Sequence, residues 1–130
     1  MATAGTIGAT GNPDIDGVLT GWRWIGTVTY SFADSASDYS ANYGDGEPTA
    51  TGFAQISTAQ QTAVNSAMAL IMSYTNINIQ FAGTNGADIK LAQSSTANPT
   101  AYAYYPGNYE EGGDVWFGTN ENYTNPKLGD

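Results

Sequence analysis

The chain has 130 residues, the length of one domain, and its 41% hydrophobic content excludes a disordered tail. It contains no histidine and no cysteine, which removes Cys/His zinc sites, Ser-His and Cys-His nucleophiles, thiol redox chemistry and disulfides from what the polypeptide can do by itself. Three basic residues (Arg23, Lys90, Lys127) face twelve acidic ones for a formal charge of −9, a balance that excludes nucleic acid and anionic membranes as partners.

Residues 1–13 are small and polar without a hydrophobic period, so they read as an extended arm, with the domain running over 14–130. Asn12-Pro13-Asp14-Ile15-Asp16-Gly17 imitates the first half of an EF-hand loop. Its twelfth position, however, holds Arg23 where calcium needs a bidentate Glu. Ile15, Val18, Leu19, Trp22 and Trp24 read as a satellite core tethering the amino terminus. Residues 27–32 alternate as a half-buried strand, and residues 33–55 form a long polar loop holding Asp34, Asp38, Asp45 and Glu47 that reads as solvated.

A helix is expected from Thr58 to Tyr74, opened by a Ser57/Gln60 capping box. Val64, Ala67, Met68, Ile71 and Thr75 recur along one stripe for docking on a sheet, with Gln60, Gln61, Asn65 and Ser73 on the other face. No residue from Pro48 to Ala87 is charged, so docking rather than ion pairing must stabilise this helix. Ile77, Ile79 and Phe81 mark a strand, Asn85-Gly86 a turn, and Ala87, Ile89 and Leu91 another strand. The order strand, helix, strand predicts a right-handed crossover between parallel strands. Two short β-prone runs follow, Ala101–Tyr105, closed by Pro106-Gly107, and Asp114–Phe117.

In order and spacing, IDGVLTGWRW (15–24), VTYSF (28–32), the capped helix with its following strand (56–81), ADIKLA (87–92), TAYAYYPG (100–107) and GGDVWF (112–117) resemble the amino-terminal half of a serralysin-type catalytic domain. That family belongs to the metzincin clan of secreted zinc endopeptidases. The resemblance implies an α/β (α+β) fold: a twisted, mixed five-stranded sheet with one long crossover helix and with AYAYY as its antiparallel edge strand. In the family this edge binds an extended peptide or protein substrate through main-chain hydrogen bonds, so Ala101, Tyr102, Ala103 and Tyr104 become the expected substrate-binding residues. A following helix bearing HExxHxxGxxH would hold the zinc, and calcium accompanies a downstream repeat region in such families.

No zinc ligand, catalytic residue or calcium ligand is therefore expected within these residues. Glu110, Glu111, Asp114 and Glu121 are hard donors in loops whose spacing matches no cage. The resemblance makes the chain the sheet half of a secreted enzyme that is inactive alone, its partner being the carboxy-terminal part that carries the zinc helix. On that reading an apolar face with Val115 or Phe117 stands exposed when the partner is absent. The alternative is a non-catalytic extracellular module, either peptide-binding or structural. The low content of charge, 12%, and the surface rich in Gly, Asn and Tyr suit an extracellular setting. The amino terminus has no Sec-type signal pattern, so export would use another signal or the sequence has been trimmed.

Overall fold

The computed structural model describes residues 1–44, 46 and 52–127. In chain order the elements are β1 (Thr3–Thr6), a short helix α1 (Pro13–Asp16), β2 (Trp22–Ile25), β3 (Val28–Phe32), the long helix α2 (Thr58–Tyr74), β4 (Ile79–Phe81), β5 (Ile89–Gln93), β6 (Ala101–Ala103), β7 (Val115–Phe117) and a short helix α3 (Glu121–Thr124). Five strands make one mixed sheet in the order β4-β3-β5-β7-β6. Every pairing in it is parallel except β6 with β7, which is antiparallel and leaves β6 at the edge. The fold class therefore agrees with the expectation. At Asn85-Gly86 the chain bends, with Gly86 at a φ of 67°, but β4 and β5 do not pair with each other; each lies parallel to β3, on opposite sides.

The amino terminus departs from its reading as an unpaired arm. β1 pairs antiparallel with β2 over four residues, from Thr3 opposite Ile25 to Thr6 opposite Trp22. The expected satellite core does not form, since Ile15, Val18 and Trp22 are 46%, 78% and 48% exposed. Hydrogen bonds replace it. Asp88 accepts from the Ala2 amide at 2.9 Å, and the Asn108 side chain both accepts from Ala4 N–H (2.7 Å) and donates to Ala4 C=O (2.9 Å), standing in for a strand partner. The mock EF-hand stretch is closed on itself, with Asn12 capping α1 and the Asp16 carboxylate taken up by Thr10 and Gly11.

Strand alternation gives the sheet two buried faces. On one, Tyr30, Phe32, Ile79 and Leu91 pack with Ile56 beneath α2, where Val64 and Met68 descend from the helix. Val115 and Phe117 join this cluster half-buried, so they are not the bare face that the sequence suggested. The helix is capped as expected: the Ser57 hydroxyl accepts from Gln60 N–H, and the Gln60 side chain accepts from Ser57 N–H. Its orientation about its own axis differs. Gln60 is buried and Asn65 accepts from the Tyr30 hydroxyl at 2.7 Å, while Ala67, Ile71 and Thr75 are exposed. The inward row is Gln60, Val64 and Met68, spaced by four; Met72, next at that spacing, is exposed at the rim, where its sulfur accepts from Ile79 N–H.

The opposite face is covered by the segment after β3, which is not a solvated loop. Tyr39 and Tyr43 are buried, and with Phe53 they pack around Trp116, whose side chain is fully enclosed. Asp45 and Glu47 of that segment lie outside the described residues. No helix among the described residues is long and apolar enough to cross a membrane.

Candidate functional site

The four residues expected to bind substrate occupy the sheet edge, and the strand divides them into two pairs. Tyr104 N–H donates to the Asp114 carbonyl at 3.0 Å, and Gly118 N–H donates to the Thr100 carbonyl at 2.7 Å. Even-numbered residues thus turn their main-chain groups inward to β7. By the alternation of an antiparallel ladder, the N–H and C=O of Ala101 and Ala103 point to the unoccupied edge. Both alanines are exposed. Their methyl groups lie on the α2 side, opposite Phe117 and Val115, and leave the approach to the edge open.

Tyr102 and Tyr104 serve differently. Their rings meet edge-to-face at 5.8 Å on the other side of the sheet and pack against the Trp116 cluster, so they anchor the strand rather than line its outer rim. An edge strand with paired inner groups and four free outer ones is equipped to accept another strand; nothing more elaborate is needed for main-chain recognition.

Behind this edge lies a buried polar cluster that the sequence did not reveal. Asp114 is fully buried at the start of β7. Its carboxylate accepts from Lys90 N–H (2.6 Å) and the Tyr43 hydroxyl (2.8 Å), and the Lys90 ammonium stands 3.5 Å away. That ammonium also sits over the Tyr39 ring at 4.4 Å, a cation–π contact in a water-poor setting. Burial pushes the Asp114 carboxyl up to about 6, against the opposing pull of the Lys90 amide, the Lys90 charge and the Tyr43 hydroxyl. The Tyr39 and Tyr43 hydroxyls are pushed upward as well, by burial first and then by the Asp114 charge.

Neighbouring carboxylates extend the same clasp. Glu110 takes the Ser40 amide and hydroxyl at 2.7 and 2.6 Å, and these two bonds hold its carboxyl below the ordinary range. Glu111 takes the Gly44 amide at 2.9 Å. Glu110, Glu111 and Asp114 therefore fasten residues 40–44 to the β6–β7 connection. Glu110, Glu111 and Asp114, three of the four acidic residues considered as metal donors, are committed to protein donors instead. One signal could have found the cluster: Lys90 is the lone charge in β5, flanked by Ile89 and Leu91, and a buried lysine needs a counter-charge.

Two cavities flank the edge. Beside Phe117, at the Ala101 end, a cleft of about 950 Å³ runs between Ala63 and Val64 of α2 and the segment 122–127. The Ser57 hydroxyl, at the N-cap of α2, donates to the Thr124 carbonyl and ties this segment to the helix. At the Ala103 end, Trp22, Tyr105, Pro106 and Tyr109 surround a smaller hollow of about 360 Å³.

No protein-family model and no curated protein matches this sequence. The residues present do not suit zinc. There is no histidine or cysteine in the chain, and among the described residues no three acidic groups gather closely enough to hold a metal ion.

Proposed function

We propose that this chain is the substrate-binding part of a secreted zinc endopeptidase of serralysin type, with the edge of β6 holding an extended peptide. Zinc and its ligands would then belong to a portion of the enzyme outside these 130 residues, and so would any calcium site. The observation that carries the reading is the free N–H and C=O of Ala101 and Ala103 on a β6 edge fixed from behind by Asp114. Main-chain pairing at such an edge is indifferent to side chains, which is what a general peptidase cleft requires.

The test has two arms. Fluorescence anisotropy of a dye-labelled alanine-serine decapeptide should show saturable binding to the chain that Ala103→Pro weakens at least tenfold, since proline removes an outward donor without touching the ladder to β7. Unchanged binding would sink the edge assignment. For the enzyme half, the full gene product should take up zinc and cleave casein in a chelator-sensitive way. A product with no zinc-binding helix and no cleavage removes that half.

A second reading, a non-catalytic peptide-binding module, draws support from Val115 and Phe117, which pack beneath α2 instead of standing bare. It expects the same peptide binding from a stable monomer, without peptidase activity and without any effect of chelators.

A further inference from the structure

We infer that the hollow at the Ala103 end of β6 is a specificity cup for an aromatic side chain of the bound peptide, an inference that rests on the β6 reading and adds to it a preference the main chain cannot provide. Tyr105 lies two residues beyond Ala103, and two extended residues span at most about 7 Å. A peptide paired along β6 therefore reaches the cup with the next residue or two of its own chain.

The cup is a built feature. Trp22, Tyr105 and Tyr109 are 48%, 65% and 53% exposed, although each is among the costliest side chains to leave in water. None of them joins the ring contacts that hold Tyr39, Tyr43, Phe53 and Trp116 together in the core. Both walls hang on the same strand: β1 pairs Thr6 with Trp22 on one side and receives both amide bonds of Asn108 on the other. The loop beneath is closed tightly on itself. A Cβ at Gly107 would fall 1.9 Å from the Tyr109 ring, and one at Gly112 would fall 2.2 Å from the Gly107 carbonyl. A preformed hollow of this kind loses little entropy on binding.

Its chemistry selects the guest. No lining residue is charged. The Asn108 amide is committed to Ala4, and the Tyr109 hydroxyl donates to the Tyr105 carbonyl at 3.3 Å, so only the Trp22 indole N–H and the Tyr105 hydroxyl remain as side-chain polar groups. A sugar would need several fixed partners for its hydroxyls, whereas an aromatic ring needs only ring faces and edges. A volume of about 360 Å³ is near the small end of ligand pockets and suits one large side chain better than a run of sugar rings.

The test uses a set of labelled alanine-serine decapeptides with a single Phe moved through every position, titrated against the wild-type chain and the Tyr105→Ala, Trp22→Ala and Ala103→Pro variants. One Phe position near the overhanging end should tighten binding about tenfold, in line with one aromatic packing contact. In Tyr105→Ala and Trp22→Ala that gain should fall below twofold, while the Phe-free peptide binds as before. Ala103→Pro should weaken all peptides alike, which marks failure of the edge separately from failure of the cup. Equal Phe gains in wild type and both cup variants overturn the inference, as does the absence of any positional preference. A second measurement stands apart from the edge: N-acetyl-phenylalanine amide should shift the Trp22 indole resonance, assigned with Trp22→Phe, in the wild type and not in Tyr105→Ala. A shift caused by chitooligosaccharide and not by the phenylalanine amide overturns the choice of guest.

Discussion

The main chain of Asp114 holds Tyr104 while its carboxylate holds the interior: the Asp114 carbonyl accepts from Tyr104 N–H at 3.0 Å, and its carboxylate accepts from Lys90 N–H at 2.6 Å. One residue thereby joins the edge strand to the middle of the sheet and, through Tyr43, to the segment covering its far face. Its protonation should be visible in stability. The Asp114 pKa is raised from 3.8 to about 6 in the folded chain, so folding takes up a proton in this window. The stability this contributes is fully present below the unfolded value of about 4 and is lost as pH rises through 6, a change of roughly 3 kcal/mol for two pKa units. Asp16, Asp88 and Glu110 are shifted the other way and act with opposite sign, so the comparison must be with a variant. Urea unfolding at pH 4 and pH 7 should show that Asp114→Asn removes this particular decline. Parallel pH profiles for the two proteins would contradict the assignment.

Proline scanning should separate the two sides of β6. Ala103 N–H faces outward, and the preceding residue is already extended, as proline demands. Ala103→Pro should therefore shift urea-unfolding stability by less than about 1 kcal/mol. Tyr104→Pro removes the bond to Asp114 and leaves that carbonyl without its donor, which should cost about 1–3 kcal/mol. Equal losses would mean that both amides are engaged in the folded chain.

Local periodicity encodes most of the sheet and the long helix legibly in the sequence. The capping box at Ser57 and the glycine after Phe81 are short-range signals that act where they are read; β3 also lies where its alternation puts it, but it is buried on both faces rather than half-buried, with Ser31 fully enclosed beneath the segment that covers the far side. What stayed hidden depends on partners far along the chain. Tyr43 meets Asp114 across 71 positions, and Ala4 meets Asn108 across 104. Neither loop carries a pattern that names its partner. The edge position of β6 could be anticipated, but its division into outward alanines and anchoring tyrosines depends on the register with β7, which composition does not encode. The cup was hidden for a related reason, because Trp22 and Tyr105 become neighbours only through β1.

The amino-terminal strand should be held by side chains more than by burial. Ala4 is its one buried residue, and the two Asn108 bonds supply its partner on the body of the domain. Asn108→Ala removes both, at about 1 kcal/mol apiece. Hydrogen exchange should then accelerate at the Ala4 amide and in β2 while β3 and β5 keep their protection. Uniform loss of protection across the main sheet would show instead that β1 is integral to the global fold.

The orientation of α2 offers a sharper check on the fold, because two hydrophobic residues three positions apart should behave in opposite ways. Met68 packs against the cluster of Phe32, Ile56 and Leu91, whereas Ile71 is 45% exposed despite lying on the stripe that the sequence pattern selects. The cause is visible in the neighbours: Asn65 is drawn to the Tyr30 hydroxyl and Gln60 to the Gln93 side chain, and these polar bonds turn the helix away from its most apolar side. Met68→Ala should cost about 2 kcal/mol or more through lost contact and an unfilled space. Ile71→Gln should stay within about 0.5 kcal/mol, as exposed substitutions do. Chemical denaturation of the two variants decides it, and a larger loss at Ile71 than at Met68 would mean that the helix docks through the stripe its sequence advertises.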